Sequence, residues 1–276
     1  MHRTTHLLGT LVATSLALAG LTACGSSNSG TATQASSDGS SGGPIVAQVG
    51  SSSITRSTLS HWMATIVGGD YDESLSHPAP KGLVSDPPNY PRCVAAIETI
   101  GPPKTTTETP QQIHSGLVGD CHQLYESLKQ QALAYLIQGL WSVAEGAEEG
   151  IVVSSAEIQK AFERLKAERY PKEAELAAYL AGREWSVSDE LYLIKRDLLD
   201  ARIGAKHEQA LRKTVKGGRE ALERAVLELA IHNQKNWIAK TSCSPGYVVI
   251  SECKQYKGPE TNGAPDALLE QITASR

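Results

Sequence analysis

Five cysteines are the residues of this chain best able to do chemistry, and they divide one against four. Cys24 stands alone behind Leu21-Thr22-Ala23. Cys93, Cys121, Cys243 and Cys253 follow at wide spacing. A thiol can be alkylated, can join a disulfide, can ligate a metal or can act as a nucleophile. Metal ligation calls for CxxC or Cys/His pairs at ligand spacing. Only Cys121-His122 is adjacent, and sequence neighbours seldom both point at one ion, so no metal is expected. Nucleophilic chemistry needs a base and an orienting group. The chain carries no nucleophile elbow, no P-loop, no His-Glu-x-x-His and no dinucleotide-binding glycine pattern. No catalytic residue, no cofactor and no small-molecule substrate are therefore expected.

The setting of Cys24 decides its chemistry. Arg3 and two histidines lead into an apolar stretch from Leu7 to Leu21, which ends in Leu21-Thr22-Ala23-Cys24. A charged start, a short apolar run and small residues before a cut make a secretory signal. The run is too short, and too broken by Gly and Thr, to be a permanent span. Leu-Thr-Ala-Cys at its end also looks like a bacterial lipobox, in which the thiol takes a diacylglycerol and becomes the new N-terminus. Plain cleavage after Ala23, leaving Cys24 free, is the alternative. Residues 1–23 are thus expected to be a lipoprotein signal peptide. Residues 24–43, almost all Ser, Gly, Thr, Asn and Ala, form a flexible linker of about 25 Å reach. The mature protein is placed at the cell membrane, lipid-anchored through Cys24 and facing the extracytoplasmic side.

That compartment makes disulfides the expected state of the other four cysteines. Three connectivities are open. Cys93–Cys121 and Cys243–Cys253 are favoured, because each pair encloses a loop-like segment rich in Pro, Gly, Thr or Ser. Charge excludes another class of partner. The chain has 26 cations against 30 anions, and removal of the signal takes Arg3 and makes it more acidic. No nucleic acid is expected, since that would require a basic patch or stripe.

The elements that must position these residues follow from periodicity. Ile45–Val49 is a short β-rich run that stops at Gly50. Thr55 or Ser57 can cap a following helix through Met63. From Gly68 to Pro110 the chain is rich in Pro, Gly, Asp, Ser and Thr, and predicts an irregular excursion with one helix near Cys93 to Ile97. Cys121, Leu124, Leu128, Ala132, Tyr135, Leu136 and Leu140 then recur on one helix face. Ser154 and Glu157 have capping-box spacing. Pro171 sits at a plausible first-turn position before Ala174–Leu180. Ser186-Val187-Ser188-Asp189 opens a helix that Gly217-Gly218 breaks, and a last helix runs from about Arg219 to Ile238. Tyr247–Ile250 is a strand candidate. Residues 44–256 form one mainly α domain with two short β segments near its ends, which close the domain if they meet. Residues 257–276 are a polar tail.

Side chains with charge or rings were weighed for function. His61, His114, His122, His207 and His232 read as surface or helix-side residues. Glu145, Glu148 and Glu149 read as a solvated acidic face, and the basic stretch from Lys206 to Lys216 likewise. The aromatics carry more. Trp62, Trp141, Tyr135 and Trp185 are either core or the lining of a groove for apolar stretches of other chains, because aromatics bring contact area at little entropy cost.

The order of elements resembles the SurA/PrsA-type N-terminal chaperone domain. The likeness rests on the strand, turn and helix of Val46–Gly50 and Ile54–Leu59. It continues through Leu136–Gln138, Ala144–Ala147 and Gly150–Ile158. The segments Leu180–Val187 and Ile194–Leu199 complete it. The resemblance implies an extracytoplasmic, ATP-independent chaperone that binds unfolded or nascent exported polypeptides in a helical apolar groove. Many members also carry a parvulin-type peptidyl-prolyl isomerase domain. Between Ile203 and Trp237 this chain has only helix-forming sequence, so that domain is absent from the pattern. Isomerase activity and a non-chaperone envelope adaptor are the alternatives.

Overall fold

The computed structural model describes residues 43–75, 81–100 and 109–258, all within one compact unit. The expected signal, Cys24, and nearly all of the expected linker and polar tail lie outside the described residues. β1 (Ile45–Val49) turns through Gly50 and Ser51 into β2 (Ser52–Thr55). Gly50 has φ +56°, the left-handed conformation that a tight hairpin turn asks of glycine. The two strands pair antiparallel, Val49 opposite Ser52 and Ala47 opposite Ile54, with a register shift between Ile45 and Ala47.

Seven helices follow among the described residues. They are α1 (Arg56–Leu75), α2 (Pro91–Ile100), α3 (Pro110–Glu148), α4 (Ser155–Arg169), α5 (Glu173–Gly182), α6 (Val187–Thr214) and α7 (Gly218–Ala239). Capping chemistry sets several starts. Thr55 Oγ1 accepts from the Thr58 N–H at 3.2 Å and opens α1. Ser154 with Glu157, and Ser186 with Asp189, close full capping boxes. α1 runs on to Leu75, past Gly68, where the composition predicts irregular chain. Pro171 precedes the N-cap residue Lys172 rather than lying in the first turn of α5.

α3 is the spine. Its 39 residues span roughly 58 Å at 1.5 Å per residue. Cys121, Tyr125, Leu128, Ala132, Leu133, Leu136, Ile137 and Trp141 are its buried face. Against it pack the sheet, α1 and α2, with Val46, Leu59, Met63 and Cys93 almost fully enclosed. Each buried Leu, Ile, Val or Met side chain contributes about 1.5–3 kcal/mol of hydrophobic stabilisation. α6 lies along the same spine. A Cβ on Gly139 would meet the Tyr192 hydroxyl at 2.3 Å, so glycine is what lets α3 and α6 come this close. Phe162, Leu176 and Leu180 make a second, smaller core under α4, α5 and the start of α6.

The two ends of the described domain do meet, by a different segment from the one expected. β3 (Thr241–Cys243) pairs antiparallel with the free edge of β1, giving the order β2-β1-β3. Tyr247–Ile250 is not a strand. Pro245-Gly246 turns the chain back, and the outer edge of β3 is already occupied. Gln255 accepts from the Cys243 N–H and donates to the Cys243 carbonyl, both at 3.2 Å. One carboxamide thus covers an edge that another strand would otherwise need. Both favoured disulfides form: Cys93–Cys121 with Cα atoms 6.0 Å apart, and Cys243–Cys253 at 5.5 Å. No described helix is long and apolar enough to cross a membrane.

Thr241 is wholly buried and locks the last strand to the spine. Its hydroxyl accepts from Trp141 Nε1–H at 2.8 Å and donates to the Trp237 carbonyl at 2.8 Å. Thr241→Val keeps the shape and leaves the indole N–H unpaired. It is expected to cost about 1–3 kcal/mol, seen as a lower urea midpoint with an unchanged slope.

Candidate functional site

The most distinctive concavity is a trough between α3, α6 and α7. It exists because α7 touches the bundle lightly: only Ile231 and Trp237 of its 22 residues are buried. The trough holds about 450 Å³ and is lined by Gln138 and Trp141 from α3, Ile203 and Gly204 from α6, and Asn233 and Gln234 from α7, among others. It continues into a cleft of about 270 Å³ that shares Glu145, His207, Asn233 and Trp237 and is edged by Glu148 and Lys240. The lining mixes indole surface with carboxamides, which can both donate and accept hydrogen bonds.

At the junction of the two spaces sits a charged cluster. Glu145 and Glu149 are four residues apart on α3 and so share a face. Glu145 Oε1 accepts from Asn233 Nδ2 at 2.8 Å, and Oε2 accepts from Trp237 Nε1 at 3.3 Å. His207 Nε2 from α6 is hydrogen-bonded to Glu149 Oε1 and lies 3.7 Å from Glu145 Oε1. Lys206 Nζ donates to the Glu149 carbonyl at 2.9 Å and is ion-paired with Glu149 Oε2 at 3.0 Å, outside hydrogen-bond geometry. Burial raises the Glu145 carboxyl above its ordinary range, against the pull of His207 and Trp237. Burial works the same way on Glu149, but the hydrogen bond from His207 and the neighbouring Lys206 ammonium outweigh it and hold that carboxyl below the ordinary range.

These positions correct the expectation of a solvated acidic face. Glu145 and Glu149 are turned inward, with side chains about one-fifth exposed, while Glu148 alone is well exposed. His207, read as a surface or helix-side residue, is half-buried on the side of α6 that meets α3. Lys206 is half exposed, as a solvated basic face requires, and also reaches back to α3.

The four aromatics singled out for binding do not converge. Trp62 is 7% exposed and packs against Tyr135 and Tyr192 with ring centroids 4.9 and 5.4 Å apart. It is core, not groove. Tyr135 is half-buried, lies under the Arg196 guanidinium at 4.4 Å, and burial pushes its hydroxyl up to about 12. Trp141 is buried by its bond to Thr241 and gives only an edge to the trough. Trp185 sits with the second core beside Tyr179 and donates to the Thr65 carbonyl at 3.2 Å. Gly204, Asn233, Gln234 and Gln138 line the trough without having been singled out in the sequence, and His207 was read there without a functional role. The i, i+4 spacing of Glu145 and Glu149 was visible, but nothing in the chain says that His207 returns to them 58 residues later.

A second cleft of about 340 Å³ lies beside α1, lined by Ser60, His61, Asp86, Arg92 and Glu184 among others. His61 Nε2 and Asp189 Oδ1 are 2.8 Å apart, and Asp189 Oδ2 closes the capping box of α6 with Ser186. The pair joins α1 to the start of α6. Burial tends to raise the Asp189 carboxyl, and hydrogen bonds from Ser186 and His61 overcome this and lower it. A depressed native pKa gives stability that is present above the unfolded value near 3.8 and is lost as pH falls through the native one. Asp189→Asn is expected to lower the denaturant midpoint at neutral pH and to flatten the profile below about pH 4. Midpoints measured across pH for both proteins check this.

Fold and site together define a mainly helical, disulfide-stapled domain with a polar and aromatic trough. Comparison with family models, with curated proteins and with solved structures finds no match.

Proposed function

We propose that this chain is an extracytoplasmic, ATP-independent chaperone that holds unfolded exported polypeptides in the α3–α6–α7 trough and is tethered to the membrane through a lipid on Cys24. The observation that carries the reading is the trough lining. Carboxamides from Gln138, Asn233 and Gln234 line it, and such groups can hydrogen-bond the backbone of any extended chain. Trp141, Trp237 and Ile203 are largely buried and add an apolar edge that demands no sequence. Such a surface favours broad, weak binding of exposed segments, which lowers the concentration of aggregation-competent chains. Two disulfides agree with an oxidising compartment. The apolar groove expected from the resemblance is thereby revised to a mixed one.

The test is light scattering from a chemically unfolded client diluted into buffer with increasing protein and no ATP. The wild-type chain should suppress scattering near stoichiometric amounts. Gly204 lines the trough, and a Cβ there would meet nothing within 4 Å. Gly204→Arg therefore fills the trough without disturbing the helix. It should raise the concentration needed for suppression at least about tenfold, the effect of about 1.4 kcal/mol of lost binding. No suppression by the wild type across several clients, or equal suppression by the variant, overturns the proposal. A stoichiometric complex with one native partner would then favour an adaptor.

A further inference from the structure

We infer that Glu145, Glu149 and His207 form a binding site for a zinc-class divalent ion on the wall of the trough. This goes beyond polypeptide binding and rests on the cluster alone.

The donor types come first. Two carboxylates and one neutral imidazole make a nitrogen–oxygen set that suits Zn²⁺ and its neighbours in the first transition row. The three ligand atoms lie within 4.8 Å of one another. An ion bound at about 2.0–2.2 Å in a tetrahedron has donor-to-donor edges of roughly 3.3–3.6 Å. The edge from His207 Nε2 to Glu145 Oε1, 3.7 Å, is already close to that. A second edge is a direct hydrogen bond between His207 and Glu149. It would open slightly as the ion replaced the shared proton, which leaves to solvent.

The surroundings are also those of a ligand set. Asn233 and Trp237 donate to the two oxygens of Glu145 from a third helix. Outer hydrogen bonds of this kind orient metal-bound carboxylates. A His–Glu ion pair between α3 and α6 has no need of a second, oriented carboxylate beside it. Two partly buried carboxylates repel, and one divalent ion neutralises both. The adjoining cleft of about 270 Å³ leaves a fourth position open to water, as in sites with three protein ligands. Lys206 stands against the ion. Its ammonium is 3.0 Å from Glu149 Oε2 and must swing away on binding.

That competition gives a test that a purely structural cluster would fail. The probe is Zn²⁺, followed by calorimetry, and Co²⁺, followed by its visible spectrum. The protein is the full chain carrying Cys24→Ser, which removes the one thiol outside the disulfides. One ion per chain should bind, with a Co²⁺ spectrum lacking thiolate charge transfer. Glu145→Gln with His207→Gln should abolish this binding. Both replacements keep hydrogen-bonding capacity, and equal denaturant midpoints in chelator would show that the fold survives. Asn233→Ala should weaken binding about 10–100-fold. Lys206→Met should tighten it. His232→Ala, an exposed residue on α7, should change nothing. No stoichiometric binding by the parent chain, binding that persists in the double variant, or weaker binding by Lys206→Met each overturns the site. Client suppression by metal-free protein would be untouched, which separates this outcome from failure of the chaperone reading.

Discussion

Trp62→Ala is expected to destabilise the domain by about 3–5 kcal/mol, the usual cost of removing a buried indole. The indole lies at the contact of α1 with α3 and α6, between Tyr135 and Tyr192, and 7% of the residue is exposed. Truncation leaves a cavity walled by two aromatic rings that cannot close over it. Ring-to-ring contacts of about 0.5–1.5 kcal/mol each are lost besides. The check is a urea titration followed by far-UV circular dichroism. Trp62→Phe should recover most of the loss and suppress client aggregation as the wild type does. A Trp62→Ala protein with unchanged stability and lost client binding would instead return this residue to the surface role that its type suggested.

The contrast between Trp62 and Trp237 shows where the sequence was legible and where it was not. Both are tryptophans on a helical face, and periodicity treats them alike. Both are buried in the main core, and what separates them is that only Trp237 borders the trough, a property of packing. Helix order, the capping box at Ser154, the helix start at Ser186, and both disulfide pairings were legible because each depends on residues close in the chain or on a small set of alternatives. The last strand was misplaced because Tyr247–Ile250 has the higher β propensity, whereas Thr241–Cys243 wins by closing on β1. Tertiary pairing overrides propensity in segments this short. The candidate site was the least legible part. Glu145 and Glu149 announced a shared face, but a polar face looks solvated until another helix is laid over it. His207 and Asn233 arrive from α6 and α7, and only the fold joins them.

The trough and the charged cluster follow from one structural choice. α7 is held at its end, through Trp237, Thr241 and the pairing of β3 with β1. Along its length it leans on α6 and leaves Val226 39% exposed. A helix fixed at one end and lightly packed elsewhere keeps a channel open beside it. It also brings Asn233 and Trp237 over α3, where they meet Glu145. The chain termini of the domain thus shape the site, although neither is rich in groups that do chemistry.

Loss of the Cys93–Cys121 bond is expected to cost about 3–4 kcal/mol, from the loop entropy of the 28 residues it closes. Both cysteines are essentially fully buried, so the bond joins α2 to the inner face of α3. α2 has only 10 residues, too few to be stable alone in water. Apart from the disulfide it is held by Val94, Ala96 and the Tyr90 that precedes it. Cys93→Ser with Cys121→Ser should therefore lower the urea midpoint strongly. The pair Cys243→Ser with Cys253→Ser closes only 10 residues and should cost less, about 2.5–3 kcal/mol. Yet it frees the turn that carries Gln255 to the edge of β3, so its effect should fall on the sheet. Amide exchange separates the two. The first double variant should expose α2 and the neighbouring turn of α3 while the strands stay protected. The second should release β3 and leave α2 protected. Equal midpoints for oxidised and reduced wild-type protein would show that the apolar contacts of α2 suffice without the bond.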